Sequence, residues 1–315
     1  MPEACIIAFA GLCLTYRSEI DGLRAVAVLA VVLFHGWPSL LPGGFIGVDI
    51  FFVVSGFLIG RLLLAEMADG RVDILAFYAR RVRRVYPALL VVVSSTLIIG
   101  MFVLAPREFV SLKDSALFAV FGLSNIFFWR SISYFAADAE FWPLLMTWSL
   151  GVEEQFYLLA PFVLLVLRRF SVQARVVILL AGCAVSFALA VALTRSAPTA
   201  AYYLMPTRWF ELGAGLALAA AWQHPLLAGA RASRAISDAL GAAGCLIIAL
   251  GLATLDEKTG FPGPFAVVPV FGTLLVLAAG QGRIAAALSL QPLVFVGRIS
   301  YALYLVALAA AEPRP

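Results

Sequence analysis

Charge is scarce in this chain. Only 13% of its 315 residues are Asp, Glu, Lys or Arg, while 63% are apolar and the mean hydropathy is +1.01. A soluble domain carries roughly a quarter charged residues, so this composition excludes a water-exposed globule. Histidine is scarcer still, with two residues, His35 and His224. The four cysteines, Cys5, Cys13, Cys183 and Cys245, lie in apolar stretches without metal-ligand spacing. They read as buried, unpaired side chains, and no metal site is expected. The net charge of +4 is no nucleic-acid signal, because the arginines flank apolar runs. No repeat, low-complexity tract or soluble domain is evident. The basic n-region of a signal peptide is missing too: Pro2-Glu3 opens an apolar stretch over 1–15. That stretch reads as an N-terminal extension, either a loose interfacial segment or a misassigned start.

What the chain has in abundance is apolar runs near the roughly 20 residues that a membrane-spanning helix needs. They fall at about 22–37, 45–66, 86–105, 146–167, 175–194, 201–222, 236–254, 265–281 and 292–310. A further stretch, 115–130, is short and interrupted near Ser124-Asn125. The expected fold is all-α, a polytopic transmembrane helical bundle with about nine or ten spanning helices over residues 16–310.

Basic residues set the orientation. Arg71 and the cluster Arg80, Arg81, Arg83 and Arg84 put the loop after the second helix in the cytoplasm. The N-terminus is then cytoplasmic, and His35 points to the outer half. If 115–130 dips into the bilayer and returns, Arg168, Arg169, Arg175, Arg231 and Arg234 also lie inside. The positive-inside bias is then stronger than if the segment crosses, so a re-entrant segment is expected.

Ten apolar residues separate Arg24 from His35. On a helix the two share a face, about 16 Å apart along the axis. Ionisable groups in a membrane segment are costly and read as functional by default. With this topology Asp49 lies near the depth of His35, with Ser55 below it, and Glu153, Glu154, Arg208 and Glu211 on helices that descend from the same side. A histidine beside a carboxylate is the minimum of a general-base site, since the acid fixes the tautomer and raises basicity. The same charges could instead pair to hold helices together. His224, beside Pro225, reads as a solvated loop residue. On the inner side Arg81 and Arg84 share a helix face, as do Arg80 and Arg83. Such a fork can grip phosphates or anchor the helix to anionic headgroups.

These residues carry a resemblance. Tyr16-Arg17-Ser18-Glu19-Ile20-Asp21-Gly22-Leu23-Arg24 running to His35, Gly43-Gly44-Phe45 through Asp49 to Ser55-Gly56-Phe57-Leu58, and the basic motif Arg80–Pro87 come in order. Thr147-Trp148-Ser149-Leu150-Gly151-Val152-Glu153-Glu154, Met205-Pro206-Thr207-Arg208-Trp209-Phe210-Glu211 and Gly297-Arg298-Ile299-Ser300-Tyr301 follow. Over roughly residues 16–305 the chain resembles the acyltransferase-3 family, bacterial polytopic enzymes that O-acylate, usually O-acetylate, exported glycans. The resemblance implies a cytoplasmic acyl-CoA donor, acetyl-CoA first among them, with no bound cofactor. It implies a glycan hydroxyl as acceptor, on lipopolysaccharide O-antigen, peptidoglycan or exopolysaccharide, and residence in the bacterial cytoplasmic membrane. His35 falls on the family's essential histidine, as general base or acyl carrier. Asp49 and Glu153 are candidates to orient it or organise the site. Arg24, Arg81 and Arg84 become candidates for donor binding. Ser55, Trp148, Glu154, Arg208 and Glu211 are acceptor-side or structural candidates. Oligomeric state is left open.

The chain departs from the family pattern in places. Met146 stands where close relatives often have histidine, and no Trp-His-Pro follows Leu303-Tyr304-Leu305. The family's later helices, and the SGNH domain some members carry, do not follow Pro315, so a truncated C-terminus is expected. Two alternatives accompany the transferase reading: an inactive truncated paralogue, and a polysaccharide or lipid-linked glycan transporter.

Overall fold

The computed structural model describes residues 16–70, 72–131, 142–256 and 260–309. The readings of the extension 1–15 with Cys5 and Cys13, of Arg71, and of the end beyond 309 lie outside these residues. The described chain is helical: α1 (Ser18–Gly36), α2 (Gly47–Ala68), α3 (Ile74–Val103), α4 (Pro106–Val120), α5 (Ser124–Ser131), α6 (Thr147–Leu167), α7 (Val172–Ser196), α8 (Pro198–Tyr203), α9 (Met205–Ala220), α10 (Pro225–Ala232), α11 (Arg234–Thr254), α12 (Val267–Ala279), α13 (Arg283–Leu288) and α14 (Gln291–Ala309).

Among the described residues six helices are long and apolar enough to cross a membrane: α2 with the turn before it, α3, α6, α7, α11 and α14. Each matches an expected apolar run. The other three expected runs are less simple. Helix α1 has 19 residues but opens with Glu19, Asp21 and Arg24. The run at 201–222 is broken into α8 and a 16-residue α9, and the run at 265–281 is a short apolar helix, Pro264–Ala279 with its leading turn. The segment 115–130 divides at Gly122, whose φ of +68° ends α4 before α5 begins. At 15 and eight residues, neither half spans a hydrocarbon core of about 30 Å.

Helices α3, α7 and α11 turn large apolar side chains outward. Val91, Ile98, Ile99, Phe102 and Val103 on α3 and Val177, Leu180 and Val185 on α7 are exposed. In water such a surface would drive aggregation; on a bundle of spanning helices it faces lipid. This is a multi-pass membrane protein. Helix α3 has 30 residues, about 45 Å at 1.5 Å each, longer than the hydrocarbon core. Its first turns, capped by Asp73 accepting from Ala76 N at 2.9 Å, therefore reach past the core and carry Arg80–Arg84 to the interface.

The interior is built on α1 and α2. Helix α2 packs along α9, α1 along α14, α7 along α9 and α11 along α12. Several approaches are backbone to backbone, Gly56 and Gly297 among the closest. A Cβ at Gly56 would lie 1.9 Å from Leu212 O, and one at Gly297 would lie 1.8 Å from Asp21 O. Small residues at such crossings let membrane helices meet closely enough for dispersion to hold them.

The break between α8 and α9 is satisfied from inside the protein. Pro206 lies in the first turn of α9 and has no N–H to donate. Carbonyls freed nearby accept from side chains: Tyr203 O from Asn125 Nδ2 at 3.1 Å, Leu204 O from Thr207 Oγ1 at 2.6 Å, and Pro206 O from Ser186 Oγ at 2.6 Å. Irregular backbone at membrane depth is tolerated where protein groups answer it.

Candidate active site

A cavity of about 110 Å³ lies between α1, α2, α3, α6 and α14. Three cations enter it, Arg24 from α1 and Arg81 and Arg84 from α3. Their helix faces bring them together as the spacing of three along α3 requires. Opposite them stands Glu153 of α6. Its Oε1 accepts from Ser55 Oγ at 2.9 Å and its Oε2 from Tyr157 OH at 2.7 Å. Arg24 Nη1 lies 3.4 Å from Asp21 Oδ1, and Asp21 Oδ2 accepts from Tyr16 OH at 2.6 Å. Arg81 Nε is buried without a hydrogen-bond partner, and its guanidinium lies 5.9 Å from the Phe77 ring centroid. Three positive groups and the carboxylate of Glu153 line the chamber, with Asp21 beside Arg24, so charge is concentrated here in a low-dielectric setting.

The chamber's far wall was not singled out from the sequence. Tyr157, Ser149, Ser300, Tyr301 and Tyr304 all line it. Tyr304 OH bridges Ser149 Oγ at 3.0 Å and Met146 O at 3.1 Å, and Tyr301 OH donates to Val85 O at 3.1 Å. Ser300 Oγ is buried without a partner. Tyr157 lies four residues after Glu153 and so shares its helix face, a signal available in the sequence. Ser300, Tyr301 and Tyr304 fall in an apolar run that periodicity alone assigns to packing.

His35 and Asp49 are positioned differently. His35 is in the last turn of α1, half-buried, and does not line the chamber. Its Nδ1 lies 2.8 Å from Val31 O, the geometry of an Nδ1–H donating to the carbonyl one turn back. That bond favours the tautomer with its basic lone pair on Nε2. The ring meets Phe34 edge-on at 5.3 Å. Asp49 does not contact His35: it is fully buried and holds Arg208, Oδ1 to Nη1 at 3.2 Å. The same Nη1 reaches Glu211 Oε1 at 2.6 Å. The physical reason lies in α9: after the break, its first turn aims a guanidinium at α2, and a buried cation there outcompetes a more distant imidazole for the carboxylate. Aromatic rings enclose the triad, with the Arg208 guanidinium 5.6 Å from Phe52, 5.5 Å from Trp148, 5.2 Å from Tyr202 and 5.5 Å from Phe261. Trp148, buried, therefore walls the triad. Glu154 lies beside the chamber with Oε1 buried and unpartnered. Among the described residues no group of three or more His, Cys, Asp or Glu could hold a metal ion. Cys183 and Cys245 are free thiols, the first buried.

A bundle of this kind, with a cation-lined chamber at one depth and a histidine toward the opposite end of α1, is a polytopic membrane protein. Residues 17–310 match the family described as an acyltransferase domain, and the chain belongs to that family. Peptidoglycan O-acetyltransferase OatA of Listeria monocytogenes is 33% identical over 302 residues, covering 92% of this chain and 48% of that protein. The putative peptidoglycan O-acetyltransferase YrhL of Bacillus subtilis is 34% identical over 304 residues, with coverage of 92% and 48%. O-acetyltransferase OatA of Staphylococcus aureus is 33% identical over 302 residues, with coverage of 92% and 50%. The chain thus spans about half the length of the curated relatives it matches. No solved structure matches it.

Proposed function

We propose that this chain transfers an acyl group, acetyl in the first instance, from acyl-CoA at the cytoplasmic face of the membrane to a glycan hydroxyl at the outer face. The observation that carries this reading is the chamber itself, where Arg24, Arg81 and Arg84 converge from two helices on one cavity. Guanidinium forks suit the phosphates of coenzyme A. Helix α1 carries Arg24 at the chamber and His35 about 16 Å further along its length, the distance an extended thioester arm has to cover in this reading.

At the outer end an alcohol needs a base, because it is a poor nucleophile at neutral pH. His35 Nε2 takes the hydroxyl proton as the oxygen attacks the thioester carbonyl, the C–S bond breaks, and coenzyme A leaves as a thiolate that is then protonated. In the alternative sequence His35 carries the acyl group between donor and sugar. Glu153, held by Ser55 and Tyr157, balances the arginines and orders the chamber. The acceptor is an exported glycan, and the activities named for the relatives make peptidoglycan the first to assay, ahead of lipopolysaccharide or exopolysaccharide. The protein resides in the cytoplasmic membrane with its N-terminus inside, in line with the arginines of 80–84.

Membranes carrying the chain, given radiolabelled acetyl-CoA and a peptidoglycan acceptor, test the proposal. Base-labile label on the glycan, absent from membranes without the chain, is the expected result. Glycan movement without label would favour a transporter, and neither activity would favour an inactive paralogue.

A further inference from the structure

A second cluster of arginines lies away from the chamber. Arg17, Arg61 and Arg231 come from the N-cap of α1, the last third of α2 and α10, and meet at one indole. Their guanidinium carbons lie 4.9, 5.0 and 3.9 Å from the Trp222 ring centroid. Neither these arginines nor Trp222 lines the chamber. Arg17 also lies 5.5 Å from the Phe57 ring and donates from Nη2 to Leu277 O at 3.0 Å, while Arg231 Nη2 donates to Trp222 O at 2.8 Å.

Charge at this cluster does not balance. Its carboxylate is Glu19, 2.5 Å from Arg17 Nε. Arg61 and Arg231 have no ion pair among the described residues, so two positive charges remain uncompensated. Arg17 Nη1 and Arg231 Nη1 are buried without hydrogen-bond partners. A buried donor left unmade is costly, more so when charged. Burial and the neighbouring Arg17 charge hold the Arg231 guanidinium below its usual range. Like charges converge this way when an anion completes the site.

Location selects the anion. The cluster sits where α1 begins, about two turns before α2 ends and just past the end of α9, near the end of the bundle and so toward the membrane interface, and a tryptophan is the side chain that favours that level. The short helix α10 follows, with Leu226 exposed. Phosphodiester headgroups occupy this level, and arginines attract anionic ones. We propose that Arg17, Arg61 and Arg231, arranged around Trp222, bind the phosphate of an anionic phospholipid headgroup in the leaflet at this end of the bundle.

Native mass spectrometry of the purified chain, offered phosphatidylglycerol or phosphatidylcholine, tests this without reference to catalysis. The wild type should retain phosphatidylglycerol in preference. The Arg61→Gln, Arg231→Gln double variant should lose that retention by roughly tenfold or more, the scale of one charge-assisted contact. Arg61→Gln alone breaks no hydrogen bond or ion pair of the fold, and should already weaken retention if the double variant fails to fold. Arg234→Gln, an exposed arginine at the start of α11, should leave retention unchanged. Equal retention of both lipids, or an equal loss in Arg234→Gln, would overturn the proposal. Displacement of phosphatidylglycerol by millimolar inorganic phosphate would also overturn the lipid assignment and make this a soluble-phosphate site.

Discussion

His35 ends a helix whose preceding ten residues are apolar, and its Nδ1 is tied to Val31 O. An imidazole so oriented presents Nε2 as the base, and losing a general base costs about 10²–10⁴-fold in rate. His35→Ala should therefore abolish acetylation in cells while membrane abundance, read by immunoblot, stays near normal. If most activity survived, the chemistry would have to move to the acids around Glu153. The buried triad predicts the opposite pattern. Arg208 bridges Asp49 and Glu211 in a site closed by four rings, and stripping one partner from a buried ion pair costs about 3–5 kcal/mol. Arg208→Ala should thus lower thermal stability and abundance, whereas Asp49→Asn, which leaves Glu211 on the arginine, should do so less. Equal abundance of Arg208→Ala and wild type would show that the triad is not structural. Much of this was legible from residues. The charges that interrupt apolar runs are conspicuous in the sequence, because membrane burial makes each of them costly. Their pairing was not legible, since Asp49 and Arg208 are 159 positions apart and only packing decides that Asp49 faces the arginine rather than the histidine.

Among elements, the sequence reads best where a helix is long and uniformly apolar. Such runs bury or face lipid along their whole length, so hydropathy alone finds α7, α11 and the part of α3 from Tyr86 onward, while the arginine-bearing start of α3 lies outside the expected run. It reads worst where the chain bends inside the bundle. The α8–α9 break follows from Pro206 and from side chains of α4–α7 neighbours such as Asn125 and Ser186 that answer its carbonyls, and no local pattern announces those partners. The same holds at Gly122, where a single left-handed residue divides the apolar stretch 115–130. Close helix crossings make a sharper prediction. A Cβ at Gly297 would stand 1.8 Å from Asp21 O, so Gly297→Ala must push α14 away from α1, which bears both Arg24 and His35. Loss of activity is expected together with a loss of stability of about 1–3 kcal/mol, the cost of overpacking, read as a lower unfolding temperature. Gly36→Ala, where nothing lies within 4 Å of a new Cβ, is the matched control and should change neither.

For the whole molecule, the proposed transfer has a direction: the chamber arginines would take the anion at one face and His35 would act toward the other. The same arginine distribution predicts the N-terminus inside and a re-entrant 115–130, and cysteine-accessibility labelling in sealed cells checks both. A cysteine at 168 should be protected from an external membrane-impermeant reagent; its labelling would refute the re-entrant topology. Because the chain spans about half the length of its relatives, donor binding tests the account more directly than turnover does. The measurement is equilibrium titration of acetyl-CoA into the purified, detergent-solubilised chain. Each charge-assisted contact contributes about 1.5–3 kcal/mol, so Arg81→Ala and Arg84→Ala should each weaken binding by roughly tenfold or more, while His35→Ala binds as the wild type does. No detectable binding by the folded wild type, or equal affinity in both arginine variants, would contradict the claim that this chamber holds the donor.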